Sequence, residues 1–445
     1  MEKFDLLIIG GGPAGYPAAI SCARKGLKVG LIEEQELGGV CLNRGCIPTK
    51  ALVHAARQVQ PVSTSGINSR PSFSWEQVLR SIKNEVVLRL RMGVSSLIKA
   101  SGVQLIPATG VFHDQESVEV NGQVLKTSNI ILATGASPYL PAAFLSDKRV
   151  LTSDGLWTME RLPESVAVIG GGVIGCELAS VFSAFGVRVT IYEMLPHLLP
   201  GQDSEIVSLL EKSFQQRGIR ICTGRRIENS TELEEECLLV TIGRKPNLSS
   251  FQEKGLAVQE GGLKVDRCLR TNLPHVYAAG DVNGLYQYAY VATREGLVAA
   301  ANICGKNTEI DYQALPVSIF TEPEIGCCGL TEEEATARGL KIRIGRFPFQ
   351  ALGRAHAEGK TTGLAKVVAE AETMKILGVH VIGERATELV AAATLMVKFG
   401  LKLTDIEQTF FCHPTFAEAI MEAVADAAGR CLHLPLRKNV SSSSD

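Results

Sequence analysis

Residues 4–15, FDLLIIGGGPAG, and residues 165–175, SVAVIGGGVIG, are two copies of one pattern. In each, an apolar strand-like run enters a glycine triad: Gly10, Gly12 and Gly15 in the first copy, Gly170, Gly172 and Gly175 in the second. An Ala-rich helical stretch follows. A short apolar strand then ends in an acid, Glu33 in GLIEE and Glu193 in VTIYE, each 23 residues after the first glycine of its copy. Few folds accommodate such a unit twice. The first glycine permits a tight turn, the second lets backbone approach a pyrophosphate, and the third lets helix pack on strand. The helix N-terminal N–H groups hold phosphate, and the acid accepts from a ribose hydroxyl. The fold expected is α/β, with two Rossmann-like dinucleotide-binding domains.

The duplication continues in NIILATGASP (129–138) and CLLVTIGRKP (237–246), apolar strands running into Gly135 or Gly243 with a proline three residues later. Read singly, each is a strand ending in a turn; in corresponding positions they read as the closing strands of two nucleotide domains. From about residue 265 the character changes. VYAAGDV (276–282) is a short strand ending in Gly280-Asp281, ahead of the helical ATREGLVAAANI. After residue 313, strand-like runs (LAKVVAEA, KILGVHVIG) and Ala-rich helices (TELVAAATLMVKFG, FAEAIMEAVADAAG) read as a separate α+β domain.

Composition narrows the function. Lys plus Arg is 45 against Asp plus Glu at 47, so no basic surplus points to nucleic acid or a membrane surface. No apolar run reaches the roughly 18 residues that span a bilayer, and Phe4 to Ile9 is too short for a signal-peptide core. A cytoplasmic protein acting on small molecules is expected. Twelve cysteines, most in apolar segments, suit buried free thiols in a reducing compartment rather than a secreted disulfide scaffold.

Cys41 and Cys46 stand apart, in the Gly-flanked GGVCLNRGCIPTK. A zinc site needs two further ligands at knuckle spacing, and no CxxC or HxxxH lies near, so no metal is expected. Residues five apart in a regular helix have Cα atoms about 8.6 Å apart, whereas a disulfide wants about 4.4 to 6.8 Å. A bridge therefore requires a distorted turn, which Gly45 and Pro48 can supply. The competing reading is two buried thiols. Lys50 falls one helical turn after Cys46, where a cation and a helix N-terminus favour a thiolate. The vicinal Cys327-Cys328 lies in a strand-like stretch where small apolar residues belong, and adjacent cysteines bridge only with strain.

With GGGPAG, GGVCLNRGCIPTK, GGGVIGCELAS, TIGRKPN, YAAGDV, SIFTEPEIGCCGLTEEEA, FPFQALGRA and CHPTFAEAI in place along almost its whole length, the chain resembles the class I pyridine nucleotide-disulfide oxidoreductases. Within them it is most similar to the members that oxidise dihydrolipoyl groups. The resemblance implies an FAD-binding domain over 1–145 resumed over 266–313, an NAD-binding domain over 146–265 and a dimerisation domain over 314–440; residues 441–445 are expected to be a disordered tail. It implies FAD on Gly10, Gly12, Pro13, Ala14, Gly15, Glu33, Glu34, Gly39, Val40, Lys50, Gly110, Thr134, Gly135, Asp281 and Ala289. NAD would lie on Gly170, Gly172, Val173, Ile174, Gly175, Glu177, Glu193, Gly243 and Arg244. Cys41 would exchange with substrate, Cys46 would face the flavin, and Lys50 would sit beside its reactive nitrogen. His413, steadied by Glu418, would be a base lent across a homodimer. The implied partners are the lipoyl domains and acyltransferase core of a 2-oxo acid dehydrogenase complex.

Glu193 would repel a 2′-phosphate, and no Lys or Arg occurs from 194 to 211 to neutralise one, which favours NAD over NADP. Three departures from the family pattern stand out. Little chain separates GIRICTG (218–224) from CLLVTIG (237–243), where relatives carry extra strands. Tyr288-Ala289-Tyr290 replaces a Leu-Ala-His, and Phe411 replaces a His two positions before His413. Two alternatives stay open: an NADH-dependent reductase of another small disulfide, and a non-catalytic scaffold subunit.

Overall fold

The computed structural model describes residues 3–60, 71–248, 251–259 and 261–435, and the backbone of 62–64 and 67–69. The expected tail over 441–445 lies outside the described residues. The chain forms two compact units. The first takes in the described residues of Met1–Val59, Pro71–Gly170 and Glu228–Asp311, and the second those of Gln60–Arg70, Gly171–Ile227 and Tyr312–Asp445.

In the first unit a parallel five-stranded sheet runs Val276–Ala278, Ile130–Leu132, Leu6–Ile9, Val29–Glu33, Gln104–Pro107. Leu6, Leu7, Ile8 and Ile130 to Leu132 are wholly buried, as expected of strands covered on both faces. Strand order reverses between Leu6–Ile9 and Ile130–Leu132, and the carboxyl ends at such a switch point open a ligand crevice. Those ends carry Gly10 to Gly15 and Thr134-Gly135. An antiparallel meander over 110–126 packs Phe112 edge-on against Phe251, with ring centroids 6.2 Å apart. Past their glycines the two closing strands pair with each other, Ala136–Pro138 antiparallel to Arg244–Pro246.

In the second unit, helix Val173–Ala184 is followed by strands Arg188–Tyr192 and Arg220–Cys222, which pair in parallel. The chain then passes to Cys237–Val240 through a single 3-10 turn, Ser230–Glu232, capped by Asn229. The shortened meander read from the sequence is thus visible. The C-terminal part is an antiparallel sheet in the order Pro316–Ile319, Ile325–Gly329, Ile376–Ile382, Leu364–Glu370, Ile342–Pro348. Helices Ala386–Lys398 and Glu418–Ala427 pack on it. Gly345 marks one close approach, since a Cβ there would lie 1.8 Å from the Ala423 carbonyl oxygen.

A buried ion cluster ties this unit together. Lys366, 1% exposed, places Nζ 2.8 Å from Asp203 Oδ2, 2.8 Å from Glu332 Oε2 and 3.2 Å from Glu205 Oε2. Arg346 bridges the same two glutamates at 2.7 Å each, and Asp203 caps helix Ser204–Gln216. Burial alone would depress the Lys366 pKa; the hydrogen bonds the ammonium donates to the carboxylates outweigh it and hold it above the usual lysine range. Its stabilisation is present at neutral pH and is lost only as pH climbs through that raised value. Lys366→Met strands buried carboxylates and is expected to cost about 3–5 kcal/mol, read as a lowered midpoint in thermal unfolding.

Candidate active site

Each glycine turn is built by the same contacts. Gly10, at φ +107°, passes so near the next strand that a Cβ would fall 2.2 Å from the Ala133 carbonyl oxygen, and one on Gly15 would fall 1.8 Å from that of Gly10. Gly170 repeats the conformation at φ +106° against Thr241. Both acids turn inward. Glu33 accepts from the Gly11 N–H at 2.6 Å and the Gln35 N–H at 2.8 Å; Glu193 accepts from the Gly171 N–H at 2.7 Å and the Leu195 N–H at 2.8 Å. The sequence expected these carboxylates to meet ribose. In the structure they clamp the turn, and a carboxylate with about four acceptor positions keeps room for a further donor such as a ribose hydroxyl.

The donors around these turns fit dinucleotides. Helices Gly15–Ala23 and Val173–Ala184 start without a side-chain cap and without an acid in the first turn, which leaves N–H groups for an anion. The Gly12 and Gly39 backbones face one another closely enough that a Cβ on Gly39 would lie 2.7 Å from the Gly12 α-carbon. Gly172 opens on space with nothing within 4 Å of a Cβ. Pro13, Ala14 and Gly15 lie in the first turn and Val173, Ile174 and Gly175 in the second. Thr134 and Gly135 are pinned by Asn247: the Thr134 hydroxyl donates to its carbonyl at 2.9 Å, and its N–H donates to the Gly135 carbonyl at 2.9 Å. Glu193→Ala removes two charge-assisted bonds and is expected to raise the KM for NAD+ about tenfold or more, measured by steady-state kinetics.

The cysteine pair follows from an interrupted helix. Gly39–Asn43 ends with Arg44 at φ −142° and Gly45 at φ −114°, ψ −108°, and a new helix, Cys46–Gln58, begins. That break brings the Cys41 and Cys46 α-carbons to 4.6 Å, and a disulfide joins them. Pro48 plays no part in the break; it sits in the first turn of the new helix, where its missing N–H costs nothing. Val40 lies in the short helix before the break, and Lys50 lies half-buried one turn after Cys46. The loop is tethered: Trp157 Nε1 donates to the Arg44 carbonyl at 2.7 Å, and Asp154 lies 3.9 Å from Arg44 and 3.1 Å from Arg244.

Asp281 begins the 3-10 turn Asp281–Asn283 just before helix Ala289–Ile303. Burial pushes its carboxyl above the usual range against the opposing charge of Arg244. Glu295, wholly buried, accepts from the Gly280 N–H at 2.6 Å and from Asn283 Nδ2 at 2.8 Å, so it sets the Asp281 turn. The sequence reading missed it, although an acid on the buried Val291, Ala292, Gly296, Val298 face was a signal. Ala289 opens that helix, and Tyr288 stacks on Tyr290 with centroids 5.3 Å apart. Three expected contact residues have other partners here. Gly110 packs on Ile32, Glu34 accepts from the Thr109 hydroxyl, and Arg244 donates to Asp154 and to the Ala136 carbonyl. Gly243 adopts φ +111° at the mouth of the second closing turn.

In the second unit, His413 Nδ1 lies 2.8 Å from Glu418 Oε1, and Glu418 Oε2 accepts the Thr415 N–H at 2.7 Å. The carboxylate, at the start of helix Glu418–Ala427, therefore fixes the ring and leaves Nε2 as the basic nitrogen. The His413 side chain is 77% exposed. Glu177 is buried and accepts the Phe320 N–H at 2.9 Å. Among the described residues no group of three or more His, Cys, Asp or Glu side chains is placed to hold a metal ion.

A chain that prepares two dinucleotide turns and joins two half-buried cysteines at the start of a helix is equipped to move electrons between a disulfide and a nicotinamide. It is a nucleotide-dependent thiol–disulfide oxidoreductase. The family model described as pyridine nucleotide-disulphide oxidoreductase matches residues 4–296, and that of the family's dimerisation domain matches residues 315–424. The chain belongs to the pyridine nucleotide-disulphide oxidoreductase family, whose cofactors are FAD and NAD(H). It is 38% identical over 456 residues to a dihydrolipoyl dehydrogenase of Chlamydia pneumoniae, covering 98% of this chain and 99% of the relative. A dihydrolipoyl dehydrogenase of Thermus scotoductus is 38% identical over 460 residues, again at 98% and 99% coverage. Among solved structures, the HOCl-induced flavoprotein disulfide reductase RclA of Escherichia coli superposes with a TM-score of 0.88 at 28% identity, covering 95% of this chain and 99% of that one.

Proposed function

We propose that the chain oxidises protein-bound dihydrolipoamide to lipoamide and reduces NAD+, as the E3 component of a 2-oxo acid dehydrogenase complex in the cytoplasm. The Cys41–Cys46 disulfide at the helix break carries this reading, and the full-length likeness to dihydrolipoyl dehydrogenases supports it. FAD is assigned to the first glycine turn with Glu33, Gly39, Thr134, Lys50 and Asp281, and NAD to the second with Glu177 and Glu193. The domain division is that implied by the resemblance: FAD-binding over 1–145 and 266–313, NAD-binding over 146–265, dimerisation over 314–440.

His413 Nε2 takes a proton from a substrate thiol, with Glu418 stabilising the imidazolium. The thiolate attacks Cys41 Sγ, the Cys41–Cys46 bond breaks, and Cys46 leaves as thiolate. The second substrate thiol closes the lipoamide ring and expels Cys41, so dithiol and disulfide have exchanged places. Lys50 and the N-terminus of helix Cys46–Gln58 stabilise the Cys46 thiolate. FAD, when bound, supplies the electron path from this thiolate to NAD+. The dimerisation-domain match supports a homodimer, as do the exposed Leu395, Phe399 and Phe410 of the second unit. His413 is assigned to the partner copy's active site.

The test is an assay of the purified yellow protein. NAD+ reduction by dihydrolipoamide is expected, with NADP+ and glutathione poor substitutes. A second reading, an NADH-dependent reductase of another small disulfide, is favoured by the likeness to the E. coli disulfide reductase. Faster turnover of a different disulfide than of lipoamide would establish it instead.

A further inference from the structure

A second pair of thiols lies in the first unit, and the mechanism does not use it. Cys22 is on the buried face of helix Gly15–Ala23, and Cys304 caps the C-terminal end of helix Ala289–Ile303. Neither is in a disulfide. The two helices run side by side in the same direction. Near their starts the Thr293 hydroxyl donates to the Pro13 carbonyl at 3.1 Å, and Gly296 lies so close to Ala14 that a Cβ would fall 2.1 Å from its carbonyl oxygen.

Eight residues further along each helix, a little over two turns, Ala14 and Gly296 are succeeded by Cys22 and Cys304. Cys22 Sγ lies 3.8 Å from the Ala300 carbonyl oxygen, the same oxygen that accepts the Cys304 N–H at 3.1 Å. The Cys22 thiol lies near enough to Cys304 for the charge of one to bear on the other. The close helix approach that Gly296 permits thus brings the Cys22 sulfur and the Cys304 N–H to one carbonyl oxygen. Cys22 is fully buried, whereas Cys304 is half-buried and reachable.

We propose that Cys22 and Cys304 form a second, non-catalytic redox pair, which a hydroperoxide closes into a disulfide linking helix Gly15–Ala23 to helix Ala289–Ile303. Cys304, the accessible thiol, attacks the peroxide; the O–O bond breaks, Cys304 becomes a sulfenic acid, and the peroxide leaves as alcohol, or as water from hydrogen peroxide. Cys22 then attacks the sulfenic sulfur, the S–S bond forms, and the hydroxyl leaves as water with the Cys22 proton. Two thiols are oxidised by two electrons and one peroxide is reduced. Burial keeps Cys22 from solvent oxidants and raises its pKa, so it enters only at the second step, where the departing hydroxyl takes its proton.

The opposite ends of the two helices carry the first glycine turn and the segment after Asp281. On the reading that these ends hold FAD, the cross-link restrains their separation and slows flavin release. The experiment uses the full-length FAD-loaded protein, treated with hydrogen peroxide, denatured, blocked with N-ethylmaleimide and mapped by mass spectrometry. A linked peptide containing Cys22 and Cys304, two hydrogens lighter than its thiol components, is expected; Cys304→Ser abolishes it and leaves dihydrolipoamide turnover unchanged. FAD release in guanidinium, followed by flavin fluorescence, is expected to slow severalfold after peroxide in the wild type and not in Cys304→Ser. Recovery of both cysteines as maleimide adducts, at peroxide doses that fully oxidise free glutathione, overturns the pair, as does over-oxidised Cys304 with alkylated Cys22. A linked peptide with unchanged flavin release overturns the restraint alone. A purified protein without flavin overturns the cofactor reading, and the mass measurement still decides the pair.

Discussion

Serine at position 41 is expected to take dihydrolipoamide-dependent NAD+ reduction to the assay background, a loss of at least about a thousandfold. The bound flavin spectrum should stay in place. The reason is covalent: a hydroxyl cannot form the bridge that the substrate thiolate opens, and Cys46 then has no bond to leave. The substitution is nearly isosteric at a half-buried position, so folding is not in question. Steady-state rates with dihydrolipoamide, alongside the flavin absorbance of the same sample, make the measurement. Turnover above about one per cent of wild type would refute the exchange mechanism, because without the Cys41 sulfur the substrate thiolate has no disulfide to open.

His413→Gln is expected to lower the same turnover by about 10²- to 10⁴-fold, the range for loss of a general base. Oxidation of NADH by ferricyanide, which bypasses the thiols, should remain within twofold. The 2.8 Å contact to Glu418 makes Glu418→Gln the companion variant, with a smaller loss because the ring keeps its nitrogen and loses only its orientation. Subunit sharing has its own signature. If each active site takes its cysteines from one copy and its histidine from the other, Cys41→Ser and His413→Gln chains mixed in equal amounts and re-paired restore about a quarter of wild-type activity, since half the dimers are mixed and each holds one intact site. No restoration would place His413 over the cysteines of its own chain.

The parts legible in the sequence were those where chemistry restricts residue type. Gly10 and Gly15 admit no Cβ, so the triads announce the turns, and their repetition announces the architecture. Cys41 and Cys46 required a distorted backbone, and Gly45 provides it. What stayed hidden depends on partners distant in the chain. Lys366 lies in a run buried on both faces, where a lysine is unintelligible without Asp203, and Asp203 is 163 residues earlier. Arg244 read as a nucleotide contact because nothing local to IGRKP shows that Asp154 and the Ala136 carbonyl engage it. Glu295 was passed over for a simpler reason: composition makes ATREGLVAAANI look like an ordinary Ala-rich helix, and only the turn around Gly280 shows what the acid is for.

The twin inward-facing carboxylates have a consequence for how nucleotides arrive. Glu33 and Glu193 brace their turns through bonds made entirely within the polypeptide, so each turn draws its shape from contacts of its own. On the assignment of the two nucleotides to these turns, capture is expected to need little local rearrangement. The amide protons of Gly11 and Gly171, each held by a carboxylate of the same chain, are accordingly expected to exchange slowly with solvent.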